Sequence, residues 1–527
     1  MTSLLKRSRS VLSDRFVVAV LVAAFVLGVV LRLGALPTVG LWQDDAWVAL
    51  SGRLGFTTAM RTAGTAPGFT AALHPWLTLA PTNPTWAALP ALVLACAGLA
   101  ICFAFLGQFG LSPRLCALGA AIWALSPVAI ATAGHVKPYP LDALSAMAIL
   151  TLAERLRRLG ELRRGWWLAF ATVGTVWLSA GVLVVAVGAW GALVVFGGAL
   201  RRRALVAPAV ASAAGLAVLY RTCFAHLPTA LTRYWAEQGD FLAPGHLAHH
   251  TSQVARGLLQ GFWPTWTAIP HEVLGLLAVW AILLLSGVSA GRRTAVATGA
   301  VVVAVAAAAA SKVPLGTGRT DLVLYPALLL LTLVGAEQLA HRLRTWWGAP
   351  AAKVLTVALS ALLVLAGVTA LAHRRGYPET HVAGLAAPLN AALRPGDLVI
   401  VDPYARYPWA LTMEHRLALK FSPGYGAGFT VRSTTPGVAI LPAQPYEQGY
   451  APLAWAARLA PGHRALFYVA DPPTGTLVHD PFVTALVAAG WRLGPSWHQP
   501  GVSATELLAP AGQQVTTDLR PVLRPVT

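Results

Sequence analysis

The sequence predicts a polytopic α-helical membrane protein of about eleven transmembrane helices, with a small extracytoplasmic α/β domain at its C-terminal end. Three observations carry this. Only 11% of the 527 residues are charged and 56% are hydrophobic, whereas a soluble domain is about 25% charged. Apolar runs recur along the chain up to Leu371, each close to the roughly 20 residues that cross a bilayer as a helix. Only helices and closed barrels satisfy their backbone in lipid, and these continuous runs are not the short alternating segments of a barrel. From His373 onward the composition becomes that of an ordinary globular segment.

The basic balance fits the same picture. Lys and Arg total 39 against 20 Asp and Glu, a formal charge of +19. The cations cluster in short links between apolar runs, which is the positive-inside signature and not a nucleic-acid surface. Met1 to Arg15 is basic and precedes an apolar run with no small-residue cleavage site after it. It reads as a retained first helix entering from the cytoplasm. Cys96, Cys102 and Cys116 lie in or beside apolar runs and Cys223 stands alone, so neither a disulfide framework nor a zinc site is indicated.

Taken in order, the first run, Phe16 to Gly34, leads outward to a loop from Ala35 to Thr85 that carries Asp44 and Asp45. Trp86 to Gly107 returns inward, and Leu115 to Thr132 goes out to Gly134-His135-Val136-Lys137-Pro138-Tyr139-Pro140-Leu141-Asp142. A helix from Pro140 comes back to Arg155, Arg157, Arg158, Arg163 and Arg164. Trp166 to Leu200 is too long for one span and suits a pair turning at Ser179-Ala180-Gly181. Ala204 to Tyr220 opens a long outer loop with Arg233, Tyr234 and Trp235, where a surface-lying amphipathic helix is expected. Val273 to Ser286, Ala295 to Ala310, Leu322 to Val334 and Val354 to Leu371 complete the set. An odd count leaves the N-terminus cytoplasmic and the C-terminal domain extracytoplasmic. Arg32, near the outer end of the first run, and Arg374-Arg375 are the exceptions to the charge rule.

The divisions are 1–372 for the membrane part, 373–512 for the α/β domain and 513–527 for a disordered tail. Within the domain, a helix over Val382 to Leu393 precedes a buried strand, Leu398 to Val401. Strands at Ala465 to Val469 and Thr505 to Leu508 flank a helix from Phe482 to Ala489.

Three outer segments hold the residues suited to chemistry. Carboxylate with Lys and Arg suits transfer of a group from a phosphate leaving group to a hydroxyl. The carboxylate takes the hydroxyl proton and the cations stabilise charge growing on the phosphate. Asp44 is the candidate base, with Asp45 orienting it or binding a metal. Lys137, Tyr139 and Arg319 would hold the phosphate, Arg by its planar fork. Gly316 and Gly318 would let the backbone approach it closely.

These segments resemble a known family. Leu41-Trp42-Gln43-Asp44-Asp45 resembles the Asp-Glu motif in the first external loop of the GT-C glycosyltransferases, especially the bacterial members of the family 39 branch, which holds protein O-mannosyltransferases and aminoarabinose transferases. His135 to Asp142 is similar to that branch's Lys/Arg-x-Tyr segment before a membrane helix. Gly316-Thr317-Gly318-Arg319-Thr320-Asp321, followed by Tyr325-Pro326, resembles its late Gly-Arg loop. The resemblance spans the first 370 residues or so and implies a polyprenyl-phosphate sugar donor, an inverting transfer to a hydroxyl acceptor (protein, lipid or glycan), and the carboxylate as base. Asp45 stands where the family often has Glu, which leaves a divalent cation or no cofactor as open alternatives.

Each candidate has a plainer reading. Asp44 and Asp45 could cap an external helix, Lys137 and Tyr139 could be interfacial anchors, and Arg319 could pair with Asp321. Asp142 reads better as a helix cap than as a catalytic group. His74 is a candidate for touching the acceptor, though a packed loop histidine is the favoured reading. His246, His249 and His250 read as a solvated face before a metal site. Tyr234 and Trp235 would clasp a sugar or lipid headgroup, or anchor a surface helix. Asp402, Tyr404 and Arg406 follow a strand end where α/β ligands often bind, and the domain reads as an acceptor-binding or structural cap. The rival functions are a polyprenyl-linked sugar flippase, which requires polar residues within spans and broken helices, and a non-catalytic glycan-binding scaffold of the envelope.

Overall fold

The computed structural model describes residues 14–62, 66–80, 82–197, 199–225, 235–236, 241–242, 247–259, 261–262, 270–347, 350, 376–416, 418–421, 429–441, 452–471 and 480–526. The chain divides into two units. The first comprises Met1–Leu36, Leu89–Phe224 and Trp235–Gly376, and the second Pro37–Ala88, Ala225–Tyr234 and Tyr377–Thr527.

The first unit is helical. Every apolar run read as a span forms helix, except Val354 to Leu371, which lies outside the described residues. Among the described residues two helices, Pro84–Gln108 and Leu205–Phe224, are long and apolar enough to cross a membrane, or three if the bent pair Pro113–Leu125 and Pro127–Gly134 counts as one span. The expectation of eleven also leans on shorter apolar helices such as Ala180–Phe196 and Ala295–Ala309. Outward faces are apolar: Val22, Phe25, Val26 and Val30 are exposed on the Arg15–Leu33 helix, as are Val206, Val210 and Val218 on Ala199–Leu219. Such faces suit contact with lipid, not water.

Inside, small residues let the helices approach. Leu183–Phe196 packs on Ala295–Ala309 where Gly188 meets Gly299, and a Cβ on Gly188 would lie 2.4 Å from the Ala300 nitrogen. Without a hydrophobic drive between helices in lipid, close backbone packing of this kind supplies the association. The paired helices Leu162–Leu178 and Leu183–Phe196 turn at Ala180–Val182, as the run length predicted.

The run from Leu115 to Thr132 departs from expectation. It breaks into Pro113–Leu125 and Pro127–Gly134, bent by 54°. Pro127 lacks an N–H and pushes Ser126 out of helical geometry, to φ −57° and ψ 117°. The Ser126 hydroxyl then accepts from Ala129 N at 3.3 Å and caps the second piece.

In the second unit the helices Gln43–Arg53, Phe56–Thr62 and Pro67–Leu77 pack on one another, and Arg406–Met413 packs on Gln43–Arg53. Arg53 Nη1 donates to the Leu411 carbonyl at 3.1 Å across that contact. The C-terminal sheet has the order β4-β1-β5-β7-β6, formed by β1 (Leu398–Val401), β4 (Val438–Ile440), β5 (Ala465–Ala470), β6 (Arg492–Gln499) and β7 (Val502–Leu508). β1 runs parallel to β4 and β5, while β7 is antiparallel to β5 and β6. β2 (Ala418–Phe421) and β3 (Phe429–Arg432) pair antiparallel in a separate two-stranded sheet. β1 and β5 are buried along their whole length, as parallel strands covered on both faces should be. β6 gave no strand signal because Gly494-Pro495 interrupts it. It is an edge strand whose register shifts between Leu493 and Ser496.

The expected disordered tail is ordered over the described residues 513–526. It runs extended and is tied down by Gly396 N to the Leu519 carbonyl (3.0 Å), Asn390 Nδ2 to the Leu523 carbonyl (2.7 Å) and Val526 N to the Thr412 carbonyl (2.7 Å). Leu523 is buried, and these bonds explain why a polar sequence does not stay free.

Candidate active site

The acid pair lies in the second unit. Trp42 occupies the N-cap of Gln43–Arg53, with no side-chain capping bond, so Asp44 and Asp45 sit in the first turn and do not cap it. Carboxylates there meet the positive end of the helix dipole. The two acids differ in access: Asp45 is fully buried and Asp44 half-buried. Tyr377 donates its hydroxyl to Asp45 Oδ2 and accepts from Trp42 N at 3.2 Å. Burial, reinforced by the Asp45 carboxylate, holds this phenol well above the ordinary tyrosine range, so it stays a donor. One residue pair further on, Glu379 Oε1 accepts from the Thr38 amide, the Thr38 hydroxyl (2.8 Å) and Val39 N (3.2 Å). The loop that delivers the acids is therefore anchored to the start of the C-terminal domain. Sequence reading missed Tyr377 and Glu379. They lie over 330 residues from the motif, and the one signal was a Tyr-Pro-Glu cluster in a chain with only 20 acids.

His74 lies half-buried on Pro67–Leu77, with Nδ1 2.9 Å from the Gly52 carbonyl. That contact makes it a packed histidine tying its helix to Gln43–Arg53.

The phosphate candidates lie in the first unit. Lys137 is buried and Tyr139 half-buried where the Tyr139–Leu159 helix begins. The turn Thr320–Val323, next to Arg319, packs on that helix and on Ala180–Val182. The turn that follows the Gly-Arg loop therefore lies against the helix that Lys137 precedes. The glycines act differently from the expectation. Gly316 (φ +83°) and Gly318 (φ +69°) adopt left-handed backbone and donate their amides to the buried Asp321 carboxylate, at 3.1 and 3.0 Å. Wound around Asp321, the loop presents Arg319, whose guanidinium lies 5.3 Å over the Trp235 ring, a cation–π arrangement. Tyr234 and His246 lie outside the described residues. Leu247–Leu259 is the expected amphipathic helix: Val254 and Leu259 are buried, Thr251 and Arg256 exposed.

Asp142 is not a cap. The N-cap of its helix is Pro138, without a side-chain bond. Asp142 is buried beside Ser179, which hydrogen-bonds to it, and its Oδ1 has no hydrogen-bond partner among the described residues.

In the C-terminal sheet, Asp402 and Asp471 follow the ends of the neighbouring parallel strands β1 and β5. Burial raises the Asp402 carboxyl well above its usual range and Asp471 to about 7. Asp402 Oδ1 accepts from Ala405 N at 2.5 Å, and the Thr380 hydroxyl donates to Asp471 at 2.9 Å. Arg406 is buried against the Tyr407 ring. Among the described residues no group of three or more His, Cys, Asp and Glu is placed to hold a metal ion, and Asp45 gives one oxygen to Tyr377.

The apo crystal structure of ArnT from Cupriavidus metallidurans superposes on 94% of this chain and 98% of its own, at a TM-score of 0.53 and 12% sequence identity. The chain has the fold of ArnT. A second structure of that protein, bound to undecaprenyl phosphate, covers 93% of this chain and 98% of its own at a TM-score of 0.49 and 12% identity. No family model matches the sequence, and no curated protein matches it. The likeness is one of fold, and it meets the motif resemblance to the family that includes the aminoarabinose transferases. The ArnT fold here is helical with a C-terminal sheet.

Proposed function

We propose that this chain is an inverting glycosyltransferase that moves a sugar from a polyprenyl-phosphate donor to a hydroxyl acceptor on the extracytoplasmic side of the membrane. The observation that carries the reading is the unequal acid pair: Asp45 is fully buried and bound by Tyr377, while Asp44 beside it is half-buried. The ArnT fold supports it. Asp44 takes the proton of the acceptor hydroxyl as its oxygen attacks the anomeric carbon. The bond from that carbon to the phosphate oxygen breaks, and polyprenyl phosphate leaves with the electron pair. Asp45 is the orienting acid. Lys137, Tyr139 and Arg319 bind the phosphate, the two cations stabilising its growing charge, and Trp235 and Tyr234 contact the sugar or lipid headgroup. The protein is multi-pass, with a cytoplasmic N-terminus.

The flippase reading asks for charge within spans and a broken helix, and the first unit has both: Arg32 is fully buried in Arg15–Leu33, and Pro113–Leu125 ends in a break. They bind each other, with Arg32 donating to the Trp123 and Ala124 carbonyls at 3.1 and 3.0 Å, so neither marks a transport path.

The test is transfer of radiolabelled sugar from a panel of polyprenyl-phosphate sugars in membranes expressing the chain. Transfer from one donor names the sugar. No transfer, with lipid-linked sugar changing sides in vesicles, would overturn the transferase in favour of the flippase.

A further inference from the structure

Arg32 sits on a span and is fully buried, an expensive position that its terminal nitrogens offset with hydrogen bonds while Nε has no partner among the described residues. Its Nη1 donates to the carbonyls of Gly28 (2.9 Å) and Ala124 (3.0 Å), and Nη2 to that of Trp123 (3.1 Å). In an unbroken helix the Trp123 carbonyl would accept from the N–H of residue 127, but that residue is Pro127 and has none; the carbonyl takes a longer bond from Ser126 N, at 3.4 Å, and the one from Arg32. The Ala124 carbonyl faces the same bend. Arg32 thus supplies, from another helix, donors that the break removes, at a helix end whose dipole favours a cation.

The second grip lies at the far end of the broken piece. A Cβ on Gly134 would stand 1.9 Å from the Ala35 carbonyl oxygen, so the backbone of residue 134 rests directly on the chain leaving the Arg15–Leu33 helix. Arg32 holds the end of the piece before the break, at Trp123 and Ala124, and Ala35 meets the end of the piece after it, at Gly134. Lys137 follows three residues later.

We propose that Arg32 is a positioning residue for the donor phosphate: by taking the carbonyls freed at the Ser126–Pro127 break, it fixes the direction in which residues 127–138 leave the helix, and so where Lys137 stands. This rests on the reading of Lys137 as a phosphate-binding group. The fork of Arg, reaching two carbonyls at once, is what the geometry uses, and a lysine point charge reproduces it only in part.

The experiment uses the full chain in lipid nanodiscs, as wild type, Arg32→Gln, Arg32→Lys, Lys137→Met and the Arg32→Gln/Lys137→Met double variant. Two readouts are taken: hydrogen exchange of the peptides covering residues 126–139, and kcat/KM for the sugar donor. Arg32→Gln is expected to speed exchange in those peptides while distant helices keep their protection. It should also lower kcat/KM by up to about a hundredfold, the scale of a 1 Å misplacement, with Arg32→Lys intermediate. In the Lys137→Met background the loss from Arg32→Gln should vanish, since both act through one group. Unchanged exchange at 126–139, exchange raised uniformly over all helices, or an additive loss in the double variant would each overturn the proposal. If exchange responds but Lys137→Met leaves kcat/KM untouched, the phosphate role of Lys137 fails, and the positioning role for the donor fails with it.

Discussion

At the residue scale, the account turns on how two adjacent carboxylates are made unequal. Asp45 points into the second unit and is met by Tyr377, whereas Asp44 remains half-open. Replacing Tyr377 by Phe takes away that donor from a buried carboxylate, a loss of about 1–3 kcal/mol. The expected result is a lower melting temperature of the purified protein together with slower sugar transfer; an unchanged melting temperature would contradict the role given to this bond. Asp44 and Asp45 were legible because two neighbouring acids are conspicuous in an acid-poor chain. Tyr377 was not, because its partnership depends on the chain returning from more than 300 residues away, which no local pattern reports. Asp321 misled in a different way. The glycines seemed free for phosphate, yet its carboxylate takes the Gly316 and Gly318 amides. Asp321→Ala should therefore release the loop and weaken donor use about as much as Arg319→Ala does, measured as kcat/KM for the donor. Full activity in Asp321→Ala would count against a loop wound on that carboxylate.

At the element scale, hydrophobic run length located the helices of the first unit well, since continuous apolar sequence in lipid has no other outlet than helix. It failed where one residue changes backbone chemistry inside an apolar run. Ser126-Pro127 reads as apolar continuation by hydropathy and as a break by hydrogen bonding, and the latter decides. Strand prediction found β1 and β5, which are buried throughout, and missed the exposed edge strand β6. Packing between helices was not legible either, because alanine and glycine carry little pattern. Gly188 is the sharpest case: any side chain there meets the Ala300 backbone. Gly188→Leu should separate Leu183–Phe196 from Ala295–Ala309 and lower stability by more than about 1–3 kcal/mol, the usual cost of overpacking. Thermal unfolding in detergent measures it, and a wild-type melting temperature would show that the helices do not meet at this glycine.

At the scale of the whole molecule, the C-terminal sheet adds a pH dependence. Asp471 is raised from 3.8 to about 7 and burial raises Asp402 in the same direction, so the folded state holds protons that the unfolded chain releases. Stability from these groups is fully present below the unfolded carboxylate range and is lost as pH rises toward the folded value. For Asp471 this is at most about 4 kcal/mol, lost between about pH 4 and pH 7. Asp471→Asn keeps an acceptor for Thr380 and removes the ionisation, so its melting temperature should fall less than that of wild type between pH 5 and pH 8, by a few degrees or so; equal slopes would remove Asp471 from the explanation. The central claim concerns chemistry, and one comparison addresses it directly. Transfer from the preferred polyprenyl-phosphate sugar is measured for wild type and Asp44→Asn at matched expression. Asn keeps the size of the side chain but cannot take the acceptor's proton, so transfer is predicted to fall by at least about a hundredfold, and equal rates from the two proteins would contradict Asp44 as the base.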